Sequence, residues 1–307
     1  MVTLQQIVIL VLEISVGYGA AKRGKIPQSA VGVLNFLCCN IALPCAIIYP
    51  IIHLENSPAV WIDLSKSLVV IIILTALQVA FSQLLFRRTT PGSREVLRMG
   101  TFSTNTAFMG IPLMTAIMGN DGVIYATLMV IIDTVVLFTY SSMAVPGKKL
   151  SVTDVIRKIF GVATVSMIIG LVILFSGIEM PGILITCMND FRGMMTPLAM
   201  VIVGCQLAKQ DFKKIFQVPR YYEVAVIKLL AVPAALAVLL KMIPTGIPGI
   251  AAAAIVICKA TPQAAVLGVI AGNNGLDDEC ASAIVGVTTI LSVITLPLVA
   301  AAAVMIF

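Results

Sequence analysis

TNTAFMGIP, residues 104–112, lies inside a long apolar run yet carries an asparagine, two threonines, a glycine and a proline. Proline removes a backbone donor and clashes with the preceding turn, and the small polar neighbours let the backbone open. A second segment, KATPQAAVLG at 259–268, has the same character. The two correspond: NTAFMG at 105–110 matches QAAVLG at 263–268, 158 residues later. A similar turn follows each, GNDG at 119–122 and GNNG at 272–275, and Pro44 is echoed by Pro197. The chain reads as two halves built on one plan.

Composition places both halves in a membrane. Of 307 residues, 60% are hydrophobic and 11% charged, against about 25% charged in an ordinary soluble domain. The mean hydropathy is +1.08. A spanning helix needs about 20 mostly apolar residues, so the chain has room for about ten spans with short loops and none for a soluble domain. The start of the chain lacks the basic stretch and cleavage site of a signal peptide and is expected to be a retained first helix. The formal net charge of +6 comes from short basic clusters between apolar runs and reads as a topology signal, not as a nucleic-acid footprint. Seven cysteines without a CxxC pair and a single histidine, His53, form no zinc pattern. They are expected to be buried free thiols, and no metal or cofactor is expected.

The expected spans are about Leu4–Ala21, Gln28–Ile52, Leu64–Phe86, Glu95–Met118, Val123–Val145, Val155–Phe175, Pro181–Ala208, Tyr221–Ile243, Ile250–Ala271 and Cys280–Phe307. Most of the 20 Lys and Arg residues then fall on the side opposite the N-terminus, in segments such as KRGK (22–25), RRTTPGSR (87–94), PGKKLSVTD (146–154) and KQDFKKIFQVPR (209–220). That side is expected to be cytoplasmic, with both termini outside, in a multi-pass protein of the cell membrane. The acidic loop GNNGLDDE (272–279) dissents, but acidic residues weigh little in this rule. Five spans per half make the halves inverted relative to each other. The expected fold is therefore an all-α membrane protein of two inverted five-helix repeats, residues 1–147 and 148–307, with helices 4 and 9 broken. Such repeats mark secondary transporters, with the site near the midplane.

The site would form where the two interruptions meet. Thr104, Asn105, Thr106 and Gly110 come from helix 4, and Lys259, Thr261, Pro262 and Gln263 from helix 9. Half-helix N-termini offer N–H groups to a carboxylate. Asn105 and Gln263, at equivalent positions, either bind substrate or cap the broken helices. Ionisable groups within spans are costly and point to function. Lys259 either attracts the anion, replaces a coupling cation or pairs with a carboxylate. Asp133 and Glu13 are the candidates for a coupling proton or sodium, with structural pairing as the alternative. Asp190 and Arg192 are expected to satisfy each other or to lie near an interface, and Lys228 to snorkel.

TNTAFMGIP, the GN turn, ATPQA at 260–264 and Leu296–Pro297 together resemble the auxin efflux carrier family, over nearly the whole chain. The resemblance implies a bile-acid-symporter-like fold and transport of small carboxylates, such as malonate or an auxin-like acid, by an elevator-like shift. It assigns the helix 4 asparagine to Asn105 and the helix 9 proline–glutamine to Pro262 and Gln263. Thr104 stands where plant members carry proline, and the short connection between helices 5 and 6 favours a microbial type. The expected partners are a small organic anion, H+ or Na+ as coupling ion, the lipid bilayer and a second copy of the chain; no nucleic acid is expected. No nucleotide loop, HExxH or serine–histidine arrangement is present, so an enzyme is not expected. A membrane sensor or scaffold that binds without translocating is the alternative, with a membrane-embedded enzyme behind it on the strength of Asp277–Glu279 alone.

Overall fold

The computed structural model describes residues 2–144, 153, 156, 160–208 and 218–307. Among them all regular structure is helical and no strand is present. In chain order the helices are α1 (Val2–Lys22), α2 (Gln28–Leu37), α3 (Leu43–Ile52), α4 (Pro58–Ser82), α5 (Pro91–Phe102), α6 (Ile111–Met143), α7 (Val162–Ser176), α8 (Gly182–Gly193), α9 (Met195–Ala208), α10 (Pro219–Val226), α11 (Val232–Met242), α12 (Gly249–Lys259), α13 (Leu267–Asn273) and α14 (Asp278–Ile306). The basic segments expected at 146–154 and 209–220, and the boundary between halves at 147–148, fall wholly or mostly outside the described residues.

Among the described residues, six helical stretches are long and apolar enough to cross a membrane: Ser29–Ile52, Pro58–Ser82, Pro91–Met143, Gly182–Ala208, Pro219–Met242 and Asp278–Ile306. Val162–Ser176 and Gly249–Lys259 are shorter apolar helices. The stretch Pro91–Met143 is 53 residues long, more than twice what one crossing requires. It leaves helical geometry at Ser103–Asn105 and again at Gly119, whose φ of 64° and ψ of −148° suit a residue without a Cβ. The expected span Glu95–Met118 is thus not one helix. The expected Ile250–Ala271 is likewise divided, into α12 and α13.

Three π turns punctuate the helices: Cys38–Ala42 between α2 and α3, Thr106–Gly110 before α6, and Ile227–Ala231 between α10 and α11. Each ends two residues before a proline, Pro44, Pro112 and Pro233. A proline ring collides with the carbonyl four residues back, here that of Asn40, Phe108 or Leu229, and each of these lies inside a π turn. The wider turn makes room for the ring, which is how these prolines sit within apolar spans.

Packing relies on close backbone approach. α1 lies against α9 through Gly17 and Gly204. A Cβ on Gly17 would overlap the Val201 carbonyl, and one on Gly204 the Ile14 carbonyl. Such small-residue contacts suit helices in lipid, where shape complementarity replaces the hydrophobic effect. The centre is formed by α12, buried from Ala251 to Lys259, and by the buried stretch Gly122–Val130 of α6. Leu12, Val16, Phe36, Leu77, Phe175 and Met305 are exposed on the outside, as a lipid-facing surface requires.

Three expectations are corrected here. Arg192 does not pair with Asp190: its guanidinium lies 4.6 Å from the Tyr49 ring centroid, and its Nη1 donates to Asn189 Oδ1 at 3.5 Å. Residues two apart on a helix do not face each other. The seven cysteines are free, but Cys187 is exposed and Cys39 and Cys45 are only half-buried. Lys228 does not snorkel; it is fully buried.

The α1–α9 contact gives a direct test. Gly204→Ala should destabilise the protein by about 1–3 kcal/mol through overpacking. Gly32→Ala, where a Cβ meets nothing within 4 Å, should leave the thermal unfolding midpoint in detergent unchanged or slightly higher.

Candidate functional site

α5 ends at Phe102, and Ser103–Asn105 are non-helical before the π turn that opens α6. α12 ends at Lys259, and the chain is non-helical or turning until α13 begins at Leu267. The interruptions touch: the Asn105 N–H donates to the Pro262 carbonyl at 2.8 Å.

A helix ending inside a membrane leaves carbonyls without partners, and side chains fill that need here. Gln263 Nε2 donates to the Gly100 carbonyl at 2.9 Å, and Gln78 Nε2 of α4 to the Thr101 carbonyl at 2.8 Å. At the end of α12, Thr261 Oγ1 donates to the Cys258 carbonyl at 2.7 Å and Lys228 Nζ to the Lys259 carbonyl at 2.9 Å. Thr101 and Lys259 lie 158 residues apart, the same offset as Asn105 and Gln263. Each of these two carbonyls receives a side-chain cap, a carboxamide from Gln78 and an amine from Lys228.

The charges form one buried cluster. Lys259 Nζ pairs with Asp133 Oδ1 at 2.6 Å. Thr104 Oγ1 donates to Asp133 Oδ2 at 2.6 Å, and Thr106 Oγ1 donates to Thr104 Oγ1 at 2.8 Å. Lys259 and Lys228 are 0% exposed and Asp133 is 7% exposed.

Beside this cluster lies a cavity of about 130 Å³, lined by residues 104–108 of the first interruption, residues 264–266 of the second, and Val130, Asp133, Thr134, Leu137 and Phe138 of α6. A single water needs roughly 10–15 Å³ by this measure, so a small solute fits. Among the described residues the Asn105 carboxamide has no hydrogen-bond partner. The same is true of the backbone N–H groups of Thr106, Ala107 and Phe108, and of Ala264, Ala265 and Val266. The carbonyls of Gly100, Thr101, Cys258 and Lys259 are thus capped internally, and unpaired backbone groups remain on residues that line the cavity.

The expected site residues divide accordingly. Thr104, Asn105, Thr106 and Asp133 line the cavity. Lys259, Thr261, Pro262 and Gln263 stand behind it as partners of other protein groups. Gln263 is engaged at both ends, because Thr288 Oγ1 donates to its Oε1 at 3.0 Å. Gly110 serves close packing: a Cβ there would meet Thr106 Cγ2 at 2.7 Å and Cys258 Sγ at 3.4 Å. Glu13, on α1, does not line the cavity; its Oε2 is buried and has no partner among the described residues. The sequence reading did not single out Gln78, Thr134, Phe108, Phe138 or Thr288.

Losing a buried hydrogen bond costs about 1–3 kcal/mol when its partner is left unsatisfied. Gln263→Ala strands the Gly100 carbonyl and should lower thermal stability by that order. Asn105→Ala removes no bond of its side chain and should leave the unfolding midpoint within about 0.5 kcal/mol of the parent. Thermal unfolding of both variants in the same detergent separates the two roles.

No curated protein matches the chain. A family model described as "Membrane transport protein" matches residues 2–300. Two interrupted helices of an all-helical, lipid-adapted chain meet at a small donor-rich cavity, and the family match covers nearly its whole length; the chain belongs to the membrane transport protein family, which is the auxin efflux carrier family.

Proposed function

We propose that this membrane transporter is a secondary carrier for a small organic anion, a carboxylate such as malonate or an auxin-like acid. The observation that carries this reading is the cavity at the joined interruptions, lined by Asn105, whose carboxamide has no partner among the described residues, and by Thr106–Phe108 and Ala264–Val266, whose backbone N–H groups have none. Backbone N–H groups at the start of a helix favour negative charge. Apolar walls from Val130, Leu137 and the two phenylalanines keep water scarce, which strengthens those contacts.

In this reading the chain makes ten crossings as two inverted five-helix halves, 1–147 and 148–307, whose broken fourth and ninth helices cross at the cavity. The matched caps on the Thr101 and Lys259 carbonyls support that symmetry. The part carrying α5, α6, α12 and α13 shifts as a unit against the remainder, in the manner of an elevator. The basic side is cytoplasmic, both termini are outside, and the membrane is the cell membrane. Asn105 contacts the substrate directly, and Thr104 and Thr106 set the cavity wall. Lys259, Thr261, Pro262, Gln263 and Gly110 hold the wall in place. Asp133 and Glu13 are the groups through which H+ or Na+ coupling would act, and a second copy of the chain completes a dimer.

The test is uptake of labelled mono- and dicarboxylates into proteoliposomes, with pH and sodium gradients imposed independently. Substrate-dependent flux is expected for at least one small carboxylate. Asn105→Ala should reduce it at least tenfold while the protein stays folded in the membrane. Binding without flux would favour a sensor, and no response to any acid of a broad panel would remove the reading. Flux driven by a pH gradient alone would identify H+ as the coupling ion, and flux requiring sodium at fixed pH would identify Na+.

A further inference from the structure

Resting on the anion-carrier reading, we infer that Lys228 is the residue that sets the preference of the cavity for a negatively charged over a neutral solute. The sequence places it in a π turn, Ile227–Ala231, whose wider geometry precedes Pro233. The turn directs the side chain inward, so that Lys228 is 0% exposed in a protein interior built for lipid. Its Nζ donates to the Lys259 carbonyl at 2.9 Å.

The charge count around it is unequal. Asp133 is the carboxylate of the cluster, and it is taken by Lys259 at 2.6 Å. Among the described residues Lys228 has no carboxylate partner. With Lys228 protonated, the cluster of Asp133, Lys259 and Lys228 carries one positive charge in excess. It also reaches the cavity, since Asp133 is part of the cavity wall. A buried charge is stable only when it is compensated, and in a low-dielectric interior its field acts over several side chains. An anion in the cavity supplies the missing negative charge. A neutral solute of the same shape does not, and it leaves the excess uncompensated.

The corresponding place in the other half makes the role of the charge separable from the role of the cap. Gln78 donates to the Thr101 carbonyl, 158 residues before that of Lys259, without any charge. A carboxamide is therefore sufficient to cap such an interruption, and the ammonium at 228 adds something the cap does not need. Lys228 acts through Lys259 and Asp133 and is a positioning and specificity residue; it does not line the cavity.

The experiment uses the full-length chain in proteoliposomes. The probes are acetate, malonate, benzoate and indole-3-acetate, each paired with its neutral amide. For the acid that the wild type carries best, KM is measured together with the inhibition constant of the matching amide. Lys228→Gln keeps a donor for the Lys259 carbonyl and removes the charge. It should raise KM for the acid at least tenfold and leave amide inhibition within twofold, so the preference for acid over amide falls about tenfold. A purely structural cap predicts parallel changes for acid and amide, and an unchanged ratio overturns the inference. Lys228→Arg keeps the charge and should keep the ratio; its loss in a folded Lys228→Arg protein also overturns the inference and serves if Lys228→Gln does not fold. Wild-type protein that carries none of the acids overturns the carrier reading itself, whereas wild-type flux with an unaltered ratio in Lys228→Gln removes only the role of Lys228.

Discussion

A helix that stops within a bilayer must satisfy its exposed peptide groups from the protein, because the lipid supplies neither donors nor acceptors. This constraint organises the centre of the molecule. The carbonyl ends at Gly100, Thr101, Cys258 and Lys259 are capped by Gln263, Gln78, Thr261 and Lys228. The opposite ends, beginning at Thr106 and near Ala264, keep N–H groups that no described residue accepts. Carbonyls within the interruptions, such as those of Thr104 and Ala265, likewise have no donor among the described residues, so the cavity wall holds both kinds of unpaired group.

The side chains then divide the work. Gln263 is bound at both ends of its carboxamide and ties α5 to the second interruption and to α14 through Thr288. Asn105 uses its backbone to join the interruptions, lines the cavity, and has a carboxamide without a partner among the described residues. Gly100 makes the first arrangement possible, since a Cβ there would come within 3.1 Å of Gln263 Nε2. Asp133 faces the cavity and is restrained by Lys259 and Thr104. A buried pair of this kind has a small net contribution to stability, but removing one partner is costly. Its value lies in fixing where charge sits at the wall.

The surrounding helices hold this centre without a hydrophobic driving force toward water. Gly17 and Gly204 bring α1 and α9 into backbone contact, and the π turns before Pro44, Pro112 and Pro233 let prolines sit inside spans. α12 has no exposed residue from Ala251 onward, so the second interruption is carried on a fully enclosed helix.

The sequence alone determined the membrane class, the family and the positions of both interruptions. Apolar length, missing charge and proline beside small polar residues are local properties, and local properties survive in a linear string. It also brought Asp133 and Lys259 forward, because ionisable groups are rare in apolar spans. It did not determine which of two equivalent carboxamides is free, that Lys228 is a buried cap, or that Arg192 lies on Tyr49 and not on Asp190. Those outcomes depend on which group lies within hydrogen-bond distance across elements more than a hundred residues apart, as with Gln263 and Gly100. Only the tertiary structure sets such distances, because a hydrogen bond forms over about 3 Å and sequence spacing says nothing at that scale about distant segments.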